Sequence, residues 1–482
     1  MRAVVLAACL VVLAGCSSPQ QQPPPQPPAA ADPAHDLAAK VTVDGIFGHL
    51  RKLADIASAH GNSRADGTPG GDATVDYVAG VLRDKGFDVQ TPEFDRVVQS
   101  SPGRPTLTAA GRSFGVAQAS LLVTTAPGGL SAITVRPPRP AGCSAGDWGT
   151  TQVRGAIAVV DDTGCSVVDK QNVAVARGAV GLLVVSDPGP DDSPAGLFPP
   201  GYYEQLRTPA AVIDDAADAQ LRRTSAPVRL VLDGKSAVVT SRNVVAQTKS
   251  GDPHHVVVAG AHLDSAAGSP GLNDDGSGLA AVLETAVQLG SSPQVTNAVR
   301  FAFWGAQQAG LRGSTTYVAG LGRAGIDDIA LYLDVDVIGS TNAGYFTLDG
   351  DQSGQPNPDI PAARVPVGSA GVERTLAGYL NLAGVRPADM PLGLASDYSA
   401  FLRAGVPIGG ITTGSSGRKT ALQARLWGGR AGVPFDPNYL GPGDTIANVD
   451  RATLAVTGPA VAFAVGTYAR STHGPNGVPP RG

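Results

Sequence analysis

The sequence is short of histidine, of cysteine and of positive charge, and each shortage excludes something. Of 482 residues, 36 are Lys or Arg and 41 are Asp or Glu, a formal net charge of -5 that becomes one unit more negative once the leader carrying Arg2 is removed. Without a basic surplus nothing invites a nucleic acid or an anionic membrane surface, and neither is expected as a partner on charge grounds. The apolar run that follows Arg2 is about 12 residues long, too short to span a bilayer, which needs about 20. Histidine occurs at positions 35, 49, 60, 254, 255, 262 and 473, so His473 alone lies downstream of His262. What is present suits a globular protein of two or three domains: 43% hydrophobic and 16% charged residues over a chain long enough to bury cores.

Residues 1–15, "MRAVVLAACLVVLAG", combine one Arg, an apolar stretch and small residues, and read as a secretory leader. The tetrapeptide Leu13-Ala14-Gly15-Cys16 resembles the bacterial lipoprotein signal. That resemblance implies lipidation of Cys16, export, and a place on the outer face of the cell membrane. An ordinary leader cut elsewhere is the alternative. The Pro/Gln-rich stretch 16–36 has nothing to bury and is expected to be an extended spacer. With Cys9 in the leader and Cys16 at the anchor, Cys143 and Cys165 remain as an even pair in an oxidising compartment, and a disulfide is predicted.

Along the body, Ile46, Leu50, Leu53 and Ile56 recur at helical spacing with Asp44 as the expected cap, and Val75, Val78, Val81 and Leu82 mark a second helix before a strand. Residues 37–100 form the first part of one domain on this reading. From 101 to 240 short β-rich runs such as "GAIAVVDD" alternate with Pro and Gly, a mostly β insertion. From 241 to 470 unbroken apolar strands alternate with helices, the last near 450–469 capped by Asp450. That pattern predicts an α/β fold: a mixed, largely parallel sheet with helices on both faces. The polar end, 471–482, is expected to be a disordered tail.

Ligand sites in such sheets lie at the carboxyl ends of strands, where "GAHLDS" presents His262 and Asp264. A histidine leaving a strand beside carboxylates is a candidate metal ligand, and Asp264 a candidate partner for its other ring nitrogen. "GLNDDGSG" sets Asp274 and Asp275 on a turn at a helix start, as ligands or as a helix cap with its neighbour. "LDVDVIGS" places Asp334 and Asp336 in an apolar strand, where a buried carboxylate needs a metal or a hydrogen bond. "FAFWGAQQAGLRGS" ends a strand on two amides, Gln307 and Gln308.

These segments, with "FDPNYLGPGDTIANVD", fall in the order and spacing of the two-zinc aminopeptidases, which the chain resembles from about residue 40 to 470. The stretch from Gly142 to Asp187 similarly resembles the protease-associated domain found inserted in several secreted peptidases. The resemblance implies a zinc-exopeptidase fold in which His262, Asp274 and Asp336 hold one zinc, Asp274 bridging to a second. It also implies that the general base is a Glu where this chain has Gln307. The private ligands of the second zinc are a Glu where it has Gln308 and a His, just after Tyr439, where it has Leu440. Tyr439 itself falls at a substrate- or transition-state-contacting place. In "GLASDYSAF", Ala395 and Tyr398 replace a family Arg and His.

A positioned general base contributes about 10²–10⁴ in rate, and an amide cannot accept and return a proton. The expectation is therefore an extracytoplasmic lipoprotein of the aminopeptidase family, catalytically impaired, holding one zinc or none and binding peptides or an extracellular partner. The competing reading is an active metallo-aminopeptidase with an atypical or one-zinc site, since three ligands and an open position suit catalysis. Glutaminyl cyclases share the fold and use one zinc, but their site needs the Glu and His that are missing here.

Overall fold

The computed structural model describes residues 32–186, 196–199, 201–354 and 356–479. The leader and Cys16 lie outside the described residues. An eight-stranded sheet runs through the body in the order 88–90, 244–247, 297–304, 252–262, 329–335, 408–412, 346–348 and 388–390. Asp252–His262 is flanked by parallel partners on both sides, Asn297–Trp304 and Ile329–Val335, and Ile408–Thr412 continues parallel beyond them. This places His262, Trp304 and Val335 at neighbouring carboxyl ends. Val244–Gln247 pairs antiparallel with Asn297–Trp304, and Phe346–Leu348 pairs antiparallel with Ile408–Thr412, so the sheet is mixed, largely parallel at its centre.

Both faces are covered, which is why the central strands carry apolar residues without alternation. On one face Ile46, Leu50, Leu53, Val78, Leu82, Leu279, Leu283 and Val461 form a single core with Val257, Ala259, Phe301 and Leu333. On the other, Trp304, Tyr332 and Phe401 pack together, the last two rings stacked at 4.0 Å. Gly260 lets that layer close: a Cβ there would lie 2.6 Å from the Tyr332 hydroxyl. The helix Arg451–Arg470 is long and apolar enough to cross a membrane, yet most of it is buried against the sheet and neighbouring helices.

Local expectations hold with three differences. The end of the stretch expected to be an extended spacer is helical: Pro33–Lys40 is a helix capped by Asp32, with Ala34 buried. The helix Val43–Ala59 buries Ile46, Leu50, Leu53 and Ile56, but its cap is Thr42, whose hydroxyl accepts from the Gly45 N–H; Asp44 sits in the first turn. Residues 471–479 fold back instead of trailing away. Val478 is buried and donates its N–H to the Thr472 carbonyl, while Thr472 reaches His255. The Asn476 carbonyl accepts from the Tyr468 hydroxyl.

Between the first helices and the main sheet the chain makes a separate module. A five-stranded, mostly parallel sheet, 117–118, 210–213, 181–185, 157–161 and 134–135, lies with an antiparallel four-stranded one, 112–115, 106–109, 228–231 and 130–132. The two share a core of Leu107, Ile157, Leu183, Ile213 and Leu230. Cys143 and Cys165 are joined by a disulfide. An antiparallel ribbon, Glu93–Ser101 with Lys235–Arg242, leads into and out of the module.

Candidate metal site

The strand Asp252–His262 ends by delivering the His262 ring into a buried acidic pocket. Its Nε2 lies 3.0 Å from Asp274 Oδ1 and 3.9 Å from Asp336 Oδ1. One ligand atom from each of the three residues falls within 4.8 Å of the others, so the structure brings together the three residues expected to share an ion. Asp336 Oδ1 is buried and has no hydrogen-bond partner among the described residues. A carboxylate oxygen in that state needs a cation, and one imidazole nitrogen with two carboxylate oxygens is a donor set suited to zinc. Burial pushes the Asp336 carboxyl up to about 7, as desolvation does to an unpaired acid.

The adjacent aspartates divide the work. Asp275 caps the helix Gly276–Leu289 through the Gly278 N–H and also accepts from the backbone N–H groups of His262 and Val337. Three donors hold it as a brace between three elements. Asp274 is thereby left to face the pocket. Asp264 differs from expectation: its backbone carbonyl, 2.8 Å away, takes the His262 Nδ1, while its carboxylate stands 3.7 Å off. That carboxylate instead accepts from the backbone N–H groups of Gln307 and Gln308 at 3.0 and 3.1 Å. Asp264 therefore fixes the ring tautomer with its main chain and anchors the glutamine loop with its side chain.

Gln308 reaches back to the site, its Nε2 lying 3.2 Å from Asp274 Oδ2. Leu440 is 41% exposed and offers no ligand. Tyr439 faces Asp274 and Asp336; burial and those carboxylates hold its hydroxyl well above the ordinary range. Beside Asp336 a cavity of about 280 Å³ opens between Leu348, Met390, Ile411, Ser396, Tyr398 and Tyr439. Tyr398 turns its hydroxyl onto the Gly393 N–H. Asp334 accepts from Ser396 and Tyr332, whose hydroxyl accepts in turn from Trp304 Nε1. It is a hydrogen-bonded carboxylate beneath the ligands.

Two supporting residues escaped sequence reasoning. Arg64 is fully buried and donates to the carbonyls of Leu263, Pro270 and Gly271 at 2.5, 2.9 and 2.6 Å, folding the loop that joins His262 to Asp274. Asp444 accepts from the N–H groups of Asn273 and Asp274 at 2.8 and 3.0 Å. A lone Arg in "GNSRADGTPGG" carries no local signal. Asp444 lay in a quoted motif but its partners are about 170 residues away.

The model of peptidase family M28 matches residues 243–465 and that of the PA domain residues 130–221. The chain is 45% identical over 458 residues to the "probable lipoprotein aminopeptidase LpqL" of Mycobacterium tuberculosis, covering 93% of this chain and 89% of that one. The chain belongs to peptidase family M28. Within M28 it is also 35% identical to an aminopeptidase of Pseudomonas aeruginosa, over 88% of this chain and 80% of that one. Among solved structures it is similar in fold to an aminopeptidase from Aneurinibacillus sp. strain AM-1, at 22% identity and a TM-score of 0.54 over 93% of this chain and 98% of that one. A zinc aminopeptidase from Bacillus subtilis is similar in fold at 21% identity and a TM-score of 0.51, over 91% and 97%. An M28 fold with an inserted PA domain is what the ordered motifs implied.

Proposed function

We propose that this M28 chain is an exported, lipid-anchored member of the aminopeptidase family that binds peptide N-termini or an extracellular partner and hydrolyses peptides poorly, with His262, Asp274 and Asp336 as the residues that hold a single zinc. The observation that carries the reading is the pair Gln307-Gln308, held by backbone bonds to Asp264 at the edge of the site. When bound, zinc supplies Lewis acidity and lowers the pKa of a coordinated water. The residues of this chain do the rest. His262 offers Nε2 because Nδ1 is engaged by the Asp264 carbonyl. Asp336 offers an oxygen that no other group among the described residues satisfies. Tyr439 remains protonated and able to donate toward a bound carbonyl. No carboxylate stands at the place of Gln307 to take a proton, and a missing general base lowers the rate by about 10²–10⁴.

The relative named as a lipoprotein aminopeptidase and the Leu13-Ala14-Gly15-Cys16 tetrapeptide support the lipid anchor, and residues 101–240 are read as the inserted module. The test combines elemental analysis of bound metal with aminopeptidase assays on the native chain and on a Gln307→Glu, Gln308→Glu, Leu440→His variant. A native chain with about one zinc and little turnover, beside a variant that gains metal and activity, is the expected result. Stoichiometric zinc with efficient, chelator-sensitive cleavage by the native chain would refute the reading in favour of an active enzyme with an atypical site.

A further inference from the structure

The two oxygens of Asp274 are in different situations from those of Asp336. Asp274 Oδ1 faces His262 Nε2 at 3.0 Å and Oδ2 faces the Gln308 amide nitrogen at 3.2 Å. Asp336 Oδ1 faces no donor among the described residues. The unsatisfied atom thus lies on the side shared by His262 and Asp336, while the side toward Gln308 and Leu440 has its carboxylate oxygen already engaged. We infer that the Gln308 side-chain amide takes the place of a second cation at Asp274, so that residue 308, and not only the missing histidine at 440, limits the site to one metal. The inference rests on the assignment of His262, Asp274 and Asp336 as zinc ligands in the proposed function.

The chemistry follows from the inventory of an amide. Turned with its oxygen toward Asp274, Gln308 would set two negative oxygens against each other; turned with its nitrogen, it donates to an ionised acceptor, one of the stronger hydrogen bonds. The loop that presents it is tied down. The N–H groups of residues 307 and 308 are fixed to Asp264, and Ala306 and Leu311 bracket the loop with φ of 55° and 58°, a left-handed conformation that few side chains adopt without support. An amide nitrogen facing Asp274 Oδ2 opposes entry of a cation, which needs a lone pair from the same residue. Replacement of Leu440 alone should therefore fail to create a second site.

The test counts zinc ions on the full chain by competitive titration, a readout independent of hydrolysis. The native chain and Leu440→His are expected to bind one zinc each. Adding Gln308→Glu to Leu440→His is expected to bring the count to two, with the second ion held more weakly than the first, because position 440 is 41% exposed whereas His262 is buried. Two ions on the native chain or on Leu440→His would show that the amide oxygen serves as a ligand, and overturn the inference. So would a single ion on the double variant. Circular dichroism of each metal-free chain identifies a misfolded variant; should the double variant misfold, Leu440→His with Gln308→Asp, a shorter carboxylate, is counted in its place. Efficient cleavage by a one-zinc native chain would refute impaired catalysis while leaving this inference standing, so the two failures are distinguishable.

Discussion

Replacement of Arg64 tests whether the site is built by its loop or by its ligands. The guanidinium makes three charged hydrogen bonds to backbone carbonyls of residues 263–271, and the Arg64 backbone N–H donates to Ser265 Oγ, which in turn donates to the Ser269 carbonyl. Arg64→Lys keeps the charge, but a single ammonium cannot match the planar fork that meets three carbonyls at once. With about 1–3 kcal/mol for each buried carbonyl left without a donor, loss of one or two of the three costs about 1–6 kcal/mol. Arg64→Ala adds a cavity and an uncompensated set of carboxylates, Asp264, Asp274, Asp275 and Asp444, that the cation faces in the native chain, and should exceed the lysine variant. Urea unfolding followed by tryptophan fluorescence gives the stability change, and zinc titration gives the consequence for His262 and Asp274, at the two ends of the clamped loop. Expected are a lower unfolding midpoint for Lys, a still lower one for Ala, and weaker zinc binding in both. A lysine variant within about 0.5 kcal/mol of native, the usual effect of a surface substitution, would show that the carbonyls find other donors and that the loop does not depend on Arg64.

Other substitutions probe the frame. Glu284, buried between helices, is pushed up by desolvation, but its bonds from His49 and Gln288 outweigh this and leave it below its ordinary 4.5. A depressed carboxylate stabilises above its unfolded pKa and loses that contribution as the pH falls through its folded value. Thermal melts between about pH 6 and 3, the range that brackets ordinary carboxylate titration, should therefore show a steeper decline for the native chain than for Glu284→Gln; parallel curves would remove Glu284 from the acid response. Gly278→Ala would place a Cβ 2.3 Å from the Val335 carbonyl and 2.4 Å from Asp275 Oδ1, so the cap and the adjoining strand end must move; a variant that melts like the native chain would contradict that crowding. Cys143 and Cys165 are 22 residues apart, and the chain-entropy relation gives about 3 kcal/mol for such a loop. Replacing both by Ala should lower the unfolding transition of the inserted module by about that amount without changing zinc binding, and a loss of zinc stoichiometry would tie the module to the site in a way its contacts do not suggest.

The legible part of this protein was local or ordered along the chain. Helical spacing at Ile46, Leu50, Leu53 and Ile56 shows because burial on one face repeats every three to four residues. The succession of buried strands and the five motifs placed His262, Asp274 and Asp336 together, since parallel strands present their carboxyl ends on one edge. That amides stand at Gln307 and Gln308, and that Leu440 follows Tyr439, needed no coordinates. What the sequence could not decide was which atom of each residue does what. Asp264 supports His262 with its carbonyl and spends its carboxylate on the glutamine loop; Asp275 rather than Asp274 caps the helix; Arg64 and Asp444 clamp a loop that lies about 200 and 170 positions away in the chain. The sequence by itself determined the family and the fold, because those depend on residue type and order. The tertiary structure alone decided how the remaining acids are shared out, because a buried carboxylate takes its role from whichever N–H group or cation lies within about 3 Å of it, and those neighbours are set by packing between segments that are distant in the chain.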